Sequence, residues 1–203
     1  MLKKISDGIA AGIMIAIGGC VYMACENKIA GAVLFCVALL TICWKGYSLF
    51  TGKVGYMAFS HTQEEVSVLL LGLLGNAIAT IVLGLIIRSA IPNIGEAANA
   101  ACTAKLTQTI ESTLIRAILC GVLMYVAVSV YKTKGSIVGI LFAIPVFILA
   151  GFEHSIADLF YFAASGIVSL RAFSYLWIVI LGNSLGGMLL PALESIKEKV
   201  YAE

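Results

Sequence analysis

Long apolar blocks alternate with short polar joints along this chain. Apolar sequence runs from about Gly8 to Ala24, from Ile29 to Trp44, from Val66 to Ile87, from Ile110 to Tyr131 and from Tyr175 to Leu193. About 20 helical residues cross a hydrocarbon core, so each block is predicted to form one membrane span. The sequence between Ile137 and Leu170 is different. Gly151-Phe152-Glu153-His154-Ser155-Ile156-Ala157-Asp158 places a glutamate, a histidine and an aspartate between two flanks that carry no charge. Charges near the midplane are expensive unless they face a bundle interior or an aqueous path. The run is also too long for one plain span. It is predicted to be a broken helix around an irregular segment that lines a cavity. The second block is interrupted as well, by Lys45 to Lys53, before apolar sequence resumes from Val54 to Phe59. Gly46, Gly52 and Gly55 disfavour a continuous helix there. Gly52 and Gly55 fit a loop that needs positive φ or a close backbone approach.

The joints are read as a turn at Glu26 to Lys28, a long polar loop from Arg88 to Thr109, a closing segment from Lys132 to Gly135, and a tight turn from Arg171 to Ser174. The tail from Glu194 to Glu203 reads as a polar helical extension. Gly8, Gly12 and Ala16 form a small-residue face for close helix packing, within the protein or between subunits. A repeat is visible. Each half has a plain span, an interrupted span, and a span with a Gly-Asn step, Gly75-Asn76 and Gly182-Asn183. Three spans per half make the repeats inverted, and paired broken helices in inverted repeats point to a midplane binding site. The reading is one domain over residues 1–203, with halves of about 1–90 and 106–203. With the N-terminus inside, Lys3, Lys4, Lys132, Lys134, Lys197 and Lys199 lie inside, and Lys28, Arg88, Lys105, Arg116 and Arg171 outside. That bias places both termini in the cytoplasm.

Composition agrees with the pattern. Of 203 residues, 61% are hydrophobic and 12% charged, with a mean hydropathy of +1.05. Soluble domains are about a quarter charged, so an all-α integral membrane protein in the plasma or inner membrane is expected. The net charge of +2, with no basic stripe, argues against nucleic acid as a partner. Cys20, Cys25, Cys36, Cys43, Cys102 and Cys120 show no spacing suited to zinc or an iron–sulfur cluster, and no metal is expected. The basic start at Lys3-Lys4 lacks a signal-peptide cleavage site and reads as the first span.

Gly151-Phe152-Glu153-His154-Ser155-Ile156-Ala157 resembles the signature of the formate/nitrite transporters, a family with a hydrosulfide-channel branch. Leu49-Phe50-Thr51 is similar to that family's loop in the second span, and Gly75-Asn76, Gly182-Asn183 and Gly186-Gly187 are similar to its third and sixth spans. The resemblance covers essentially the whole chain. It implies an aquaporin-like protomer of six spans in two inverted repeats, with spans 2 and 5 interrupted, and a homopentamer in which each protomer has its own path for a small monovalent anion. It implies an outer constriction at Phe35, Leu39 and Phe147, an inner one at Leu49 and Phe50, a central polar pair in Thr51 and His154, and a vestibule lysine at Lys105. Asp158 stands where that family usually has asparagine, and Gly121 where many formate members have one. Both departures fit hydrosulfide better than a carboxylate, with formate and nitrite as alternatives.

The residues support these roles physically. His154 can donate to an anion, or act as a protonation switch that hands a proton to it. Thr51 can add a hydroxyl donor. Glu153, with Gly52 and Ser155, is expected to organise the broken loop, the carboxylate by accepting backbone N–H bonds. Lys53 and Lys105 are expected to draw anions toward the pore. Apolar rings admit small, partly dehydrated ions. An intramembrane enzyme using Glu153, His154 and Asp158 is the rival class. No nucleophile, metal cluster or cofactor motif accompanies those residues, so neither enzyme activity nor a cofactor is expected. A structural subunit of a larger membrane complex is the other alternative.

Overall fold

The computed structural model describes the backbone of residues 1–202 and the side chains of residues 1–196, so the readings placed on Lys197, Lys199 and Glu203 fall outside the described side chains. The helices are α1 (Leu2–Ala24), α2 (Lys28–Lys45), α3 (Phe50–Lys53), α4 (Gln63–Ala90), α5 (Pro92–Lys105), α6 (Ile110–Lys134), α7 (Val138–Leu149), α8 (Ser155–Ser165) and α9 (Leu170–Ala202), with a short 3₁₀ segment at Val54–Ala58. This is an all-α membrane protein of six spans. Helices α1, α2, α4, α6 and the Leu170–Ile196 part of α9 are each long and apolar enough to cross a bilayer. Helices α7 and α8 form the fifth span, broken between them.

Both interruptions occur where expected. Helix α2 ends on Gly46 at φ 70°, and Gly151 turns the chain after α7 at φ 69°. Side chains other than glycine rarely adopt that left-handed conformation, so each glycine marks where its span breaks. Gly52 departs from the expectation: it lies within the single turn of α3 and has no positive φ. Gly55 meets the close-approach expectation, because a Cβ there would lie 2.6 Å from the Gly187 carbonyl oxygen.

Two joints are corrected. The polar loop from Arg88 to Thr109 is mostly helix. Pro92 starts α5 at a position whose missing N–H has no intrahelical partner in any case. Alanines then favour the helix, while Ile94, Ala98 and Cys102, spaced by four, form its buried stripe. The turn expected at Arg171 to Ser174 lies earlier. Gly166 ends α8 at φ 70°, and the Ser169 hydroxyl accepts from the Ala172 N–H at 3.0 Å to start α9.

Helix α1 packs on α4, and α6 on α9. The Gly8 and Gly12 face is used within the protein, against Gly72, Asn76 and Ala79 of α4. Helix α1 starts and α9 ends on one side of the bundle, called here the terminus side; α6 starts on the far side, so the two halves are inverted. Leu70, Leu74 and Ile78 of α4 and Phe173, Trp177, Leu181 and Leu185 of α9 are exposed at helical spacing. Their apolar faces suit lipid or a neighbouring subunit.

Candidate functional site

A break in a membrane helix frees backbone groups that lipid cannot satisfy. Two asparagines, one in each half, serve these groups. Asn76 Nδ2 donates to the Gly8 carbonyl (2.7 Å) and the Ser48 carbonyl (2.9 Å), and its Oδ1 accepts from the Phe50 N–H (2.9 Å). Asn183 Nδ2 donates to the Ala117 and Glu153 carbonyls, both at 2.8 Å, and its Oδ1 accepts from the Ser155 N–H (2.8 Å). The inverted repeat thus recurs bond for bond: Gly8 corresponds to Ala117, Ser48 to Glu153, and Phe50 to Ser155. The Ser48 N–H donates to the Asp7 carbonyl (3.2 Å) and the Glu153 N–H to the Arg116 carbonyl (3.4 Å), extending the match.

The breaks bring Thr51 and His154 together. Thr51 Oγ1 lies 2.8 Å from His154 Nε2, with both residues buried. His154 is also the N-cap of α8, where its Nδ1 accepts from the Ala157 N–H at 3.1 Å. A ring nitrogen that accepts carries no proton, so the capped ring holds its hydrogen on Nε2 and donates to Thr51. The Thr51 hydroxyl proton is then available to another acceptor. Phe147 stacks on the imidazole, with centroids 5.7 Å apart and planes at 18°.

Two cavities approach this pair from opposite sides. The far-side one, about 210 Å³, reaches Phe35, Phe147 and His154 and carries Lys105, Glu153 and Asp158. The terminus-side one, about 100 Å³, is lined by Leu39, Leu49, Gly52, Lys53 and Lys132 among others. Leu39 therefore groups with Leu49, not with Phe35 and Phe147 as expected. Phe35 and Leu39 sit one turn apart on α2, about 6 Å along the helix axis. Phe50 lines neither cavity; its N–H is held by Asn76 while its side chain packs in the core.

The charged residues are arranged differently from the expectation. Lys105 bonds the Glu153 carboxylate and reaches Asp158 at 3.1 Å, so it is a paired charge and not a free attractor. Among the described residues, Glu153 accepts from Lys105 and from the Gln108 amide (2.8 Å), both side chains, and from no backbone N–H. It therefore ties the connector between the repeats to the break, while Asn183 organises the break itself. Ser155 takes part through its N–H; its hydroxyl has no partner among the described residues. On the terminus side, neither Lys53 nor Lys132 is in an ion pair among the described residues, and Lys132 lies 3.7 Å from the Tyr56 ring centroid. Neutralising both as Lys53→Gln/Lys132→Gln is expected to slow anion entry from that side severalfold at low salt. The difference should fade at high salt, as measured by vesicle influx. A salt-independent difference would argue for a steric cause.

A sequence profile of formate/nitrite transporters matches residues 1–195. The chain belongs to the formate/nitrite transporter family. No curated protein matches it. Among solved structures it is similar to an FNT family ion channel at 20% identity and TM-score 0.82, over 97% of this chain and 90% of that one. It is similar also to a pentameric formate channel with formate bound, at 21% identity and TM-score 0.79, over 100% of this chain and 98% of that one. At these identities the likeness is one of fold.

Some residues that build this site in the family member were not evident as such from its sequence. Asn76 and Asn183 were visible only as a repeated Gly-Asn step. Gln108, and Arg116, whose Nη1 holds the Gly151 carbonyl at 2.8 Å, had no local signal. Gly121 also belongs elsewhere than expected. A Cβ there would overlap the Asn183 carbonyl oxygen and lie 2.8 Å from the Gly187 nitrogen, so the glycine is a contact between α6 and α9, not a lost polar contact of the path.

Proposed function

We propose that this protein conducts a small monovalent anion through each protomer, with hydrosulfide as the foremost substrate and formate and nitrite as the family alternatives. One observation carries the reading: a far-side cavity ends on His154 beside Phe35 and Phe147, a terminus-side cavity ends at Leu39, Leu49 and Gly52, and the buried Thr51–His154 contact lies between them. The working unit is one domain over residues 1–203, with its two halves meeting at that contact. Assembly as a homopentamer is supported by the pentameric state of the similar formate channel. The cytoplasmic placement of both termini in the cell membrane rests on the lysine bias.

In this mechanism the apolar wall strips water from the anion, and Thr51 Oγ–H and His154 Nε2–H compensate within it. The cap through Nδ1 makes a neutral, donating imidazole the working form. Such a ring stabilises an anion without surrendering a proton, and a second proton on Nδ1 would break the cap. Of the three anions, hydrosulfide is the most basic and most readily travels with a proton. With Gly121 assigned to packing, the preference for hydrosulfide rests on the family resemblance and on Asp158.

The deciding experiment compares influx of hydrosulfide, formate, nitrite and chloride into vesicles holding the purified protein. Fast hydrosulfide with slow formate supports the reading. Equal rates for all weak-acid anions leave a general small-anion path, and no flux of any refutes it. In the same assay Thr51→Val, which keeps the shape and removes the donor, is expected to lower flux about tenfold, the worth of one hydrogen bond to a charge. A rate equal to wild type would remove Thr51 from the mechanism.

A further inference from the structure

Lys105 is one ammonium shared by two buried carboxylates, Glu153 at 2% exposure and Asp158 at 1%. Gln108 completes Glu153, but Asp158 Oδ2 is buried with no hydrogen-bond partner among the described residues, and Asp158 lines the far-side cavity that ends on His154. With both carboxyls ionised, this buried group carries one negative charge in excess, beside the route proposed for an anion. Uncompensated charge in such surroundings is strongly unfavourable, and a single proton removes it. Arg116 at the rim is engaged by the Gly151 carbonyl and the Ser112 hydroxyl. The other titratable groups around Asp158 among the described residues are His154, neutral while its Nδ1 caps α8, Cys102 on α5, Cys120 on α6, Tyr161 on α8 and Tyr175 on α9, with Tyr22 of α1 lining the same cavity and Cys20 of α1 near Tyr161; none of them is a cation. Helix α4 presents Arg88, which lies over Gly166 at the opposite end of α8.

We propose that Asp158 is the residue that admits the anion: its carboxyl binds one proton from the far-side solution, Oδ2–H donates to the anion in the cavity, and the ionised form turns the anion away. This inference rests on the anion path proposed above. The one covalent bond made is O–H on the carboxyl, and the anion itself stays unchanged. The cavity thereby admits a small anion only while Asp158 holds its proton. Asp158 is a specificity-determining residue of that path, acting one turn into α8 from the His154 cap.

The test is formate flux in vesicles at symmetrical pH, from about 8 to about 5. Formate stays mostly ionised throughout; the rising neutral fraction is subtracted with protein-free vesicles and is common to wild type and Asp158→Asn, so it cancels in their comparison. The wild-type rate is expected to rise about fivefold or more toward acid, as expected when one like charge beside the ion is removed. Asp158→Asn, a permanent neutral donor at the same place, is expected to run near the acid rate throughout. Infrared difference spectra should show a protonated-carboxyl carbonyl band gained on acidifying wild type and missing in Asp158→Asn, a readout that does not depend on the variant's flux. Parallel pH profiles in the two proteins, or no such band in wild type, overturn the proposal. If wild type carries none of hydrosulfide, formate or nitrite at any pH, the anion path fails, and the proposal with it. Formate flux with parallel profiles leaves the path standing and removes only the role of Asp158.

Discussion

Asn183→Ala is expected to destabilise the protein by roughly 2–5 kcal/mol. The Asn183 side chain makes three bonds, all to backbone groups freed by or facing the second break. The lower figure takes the modest worth of hydrogen bonds measured within membranes, about 0.6 kcal/mol each. The upper takes the desolvation of buried groups left unpaired, about 1–3 kcal/mol each. The upper end is favoured, because lipid offers the Ser155 N–H and the Glu153 carbonyl no replacement partner. Asn76→Ala should behave alike, since its three bonds have the same pattern around the first break. Thermal or denaturant unfolding in detergent measures both. Matched losses would confirm that the two breaks are held by one repeated device. A wild-type transition in either variant would mean that water or rearranged backbone holds that break.

Much of this fold was legible because membranes impose simple rules. Five long apolar blocks marked five spans directly. The sixth was marked by its exception, Glu153, His154 and Asp158 within an otherwise uncharged run. The repeat was also visible, because each half carries one Gly-Asn step. What stayed hidden was contact over long sequence separations. Lys105 and Glu153 are 48 residues apart, and Asn76 and Gly8 are 68 apart. Hence Lys105 read as a free vestibule charge, and the two asparagines as a pattern without a task. Helix α5 was missed for a different reason. Asn93, Glu96 and Lys105 dominated the reading as polarity, while its buried stripe holds a single large residue, Ile94, and otherwise small ones, Ala98 and Cys102, that look unremarkable in sequence. The grouping of Leu39 with Leu49 was hidden by scale, since Phe35 and Leu39 lie one helical turn apart and placement from a distant motif does not resolve that distance.

Gly121→Asn is expected to be the most damaging single change on α6, and its outcome bears on the substrate. If asparagine there merely restored a polar contact in the path, the variant would fold normally and shift preference from hydrosulfide toward formate. The geometry implies the opposite. A Cβ on Gly121 would overlap the Asn183 carbonyl oxygen, and both atoms near the contact belong to helix backbone, which cannot swing aside as a side-chain tip can. Overpacking commonly costs about 1–3 kcal/mol; pushing two helices apart should reach or exceed the top of that range. The separation would also draw Asn183 away from Ala117 and the break, adding the loss argued for Asn183→Ala. Gly12 stands in the same relation to α4, where a Cβ would lie 2.8 Å from the Asn76 carbonyl oxygen. The two glycines thus let each asparagine-bearing helix come close enough for its side chain to reach across. Gly12→Ala and Gly121→Ala, with one methyl each, should both lower the unfolding temperature, and Gly121→Asn should yield little folded protein. A Gly121→Asn protein that melts like wild type and favours formate would place that residue on the path and return it to the specificity argument.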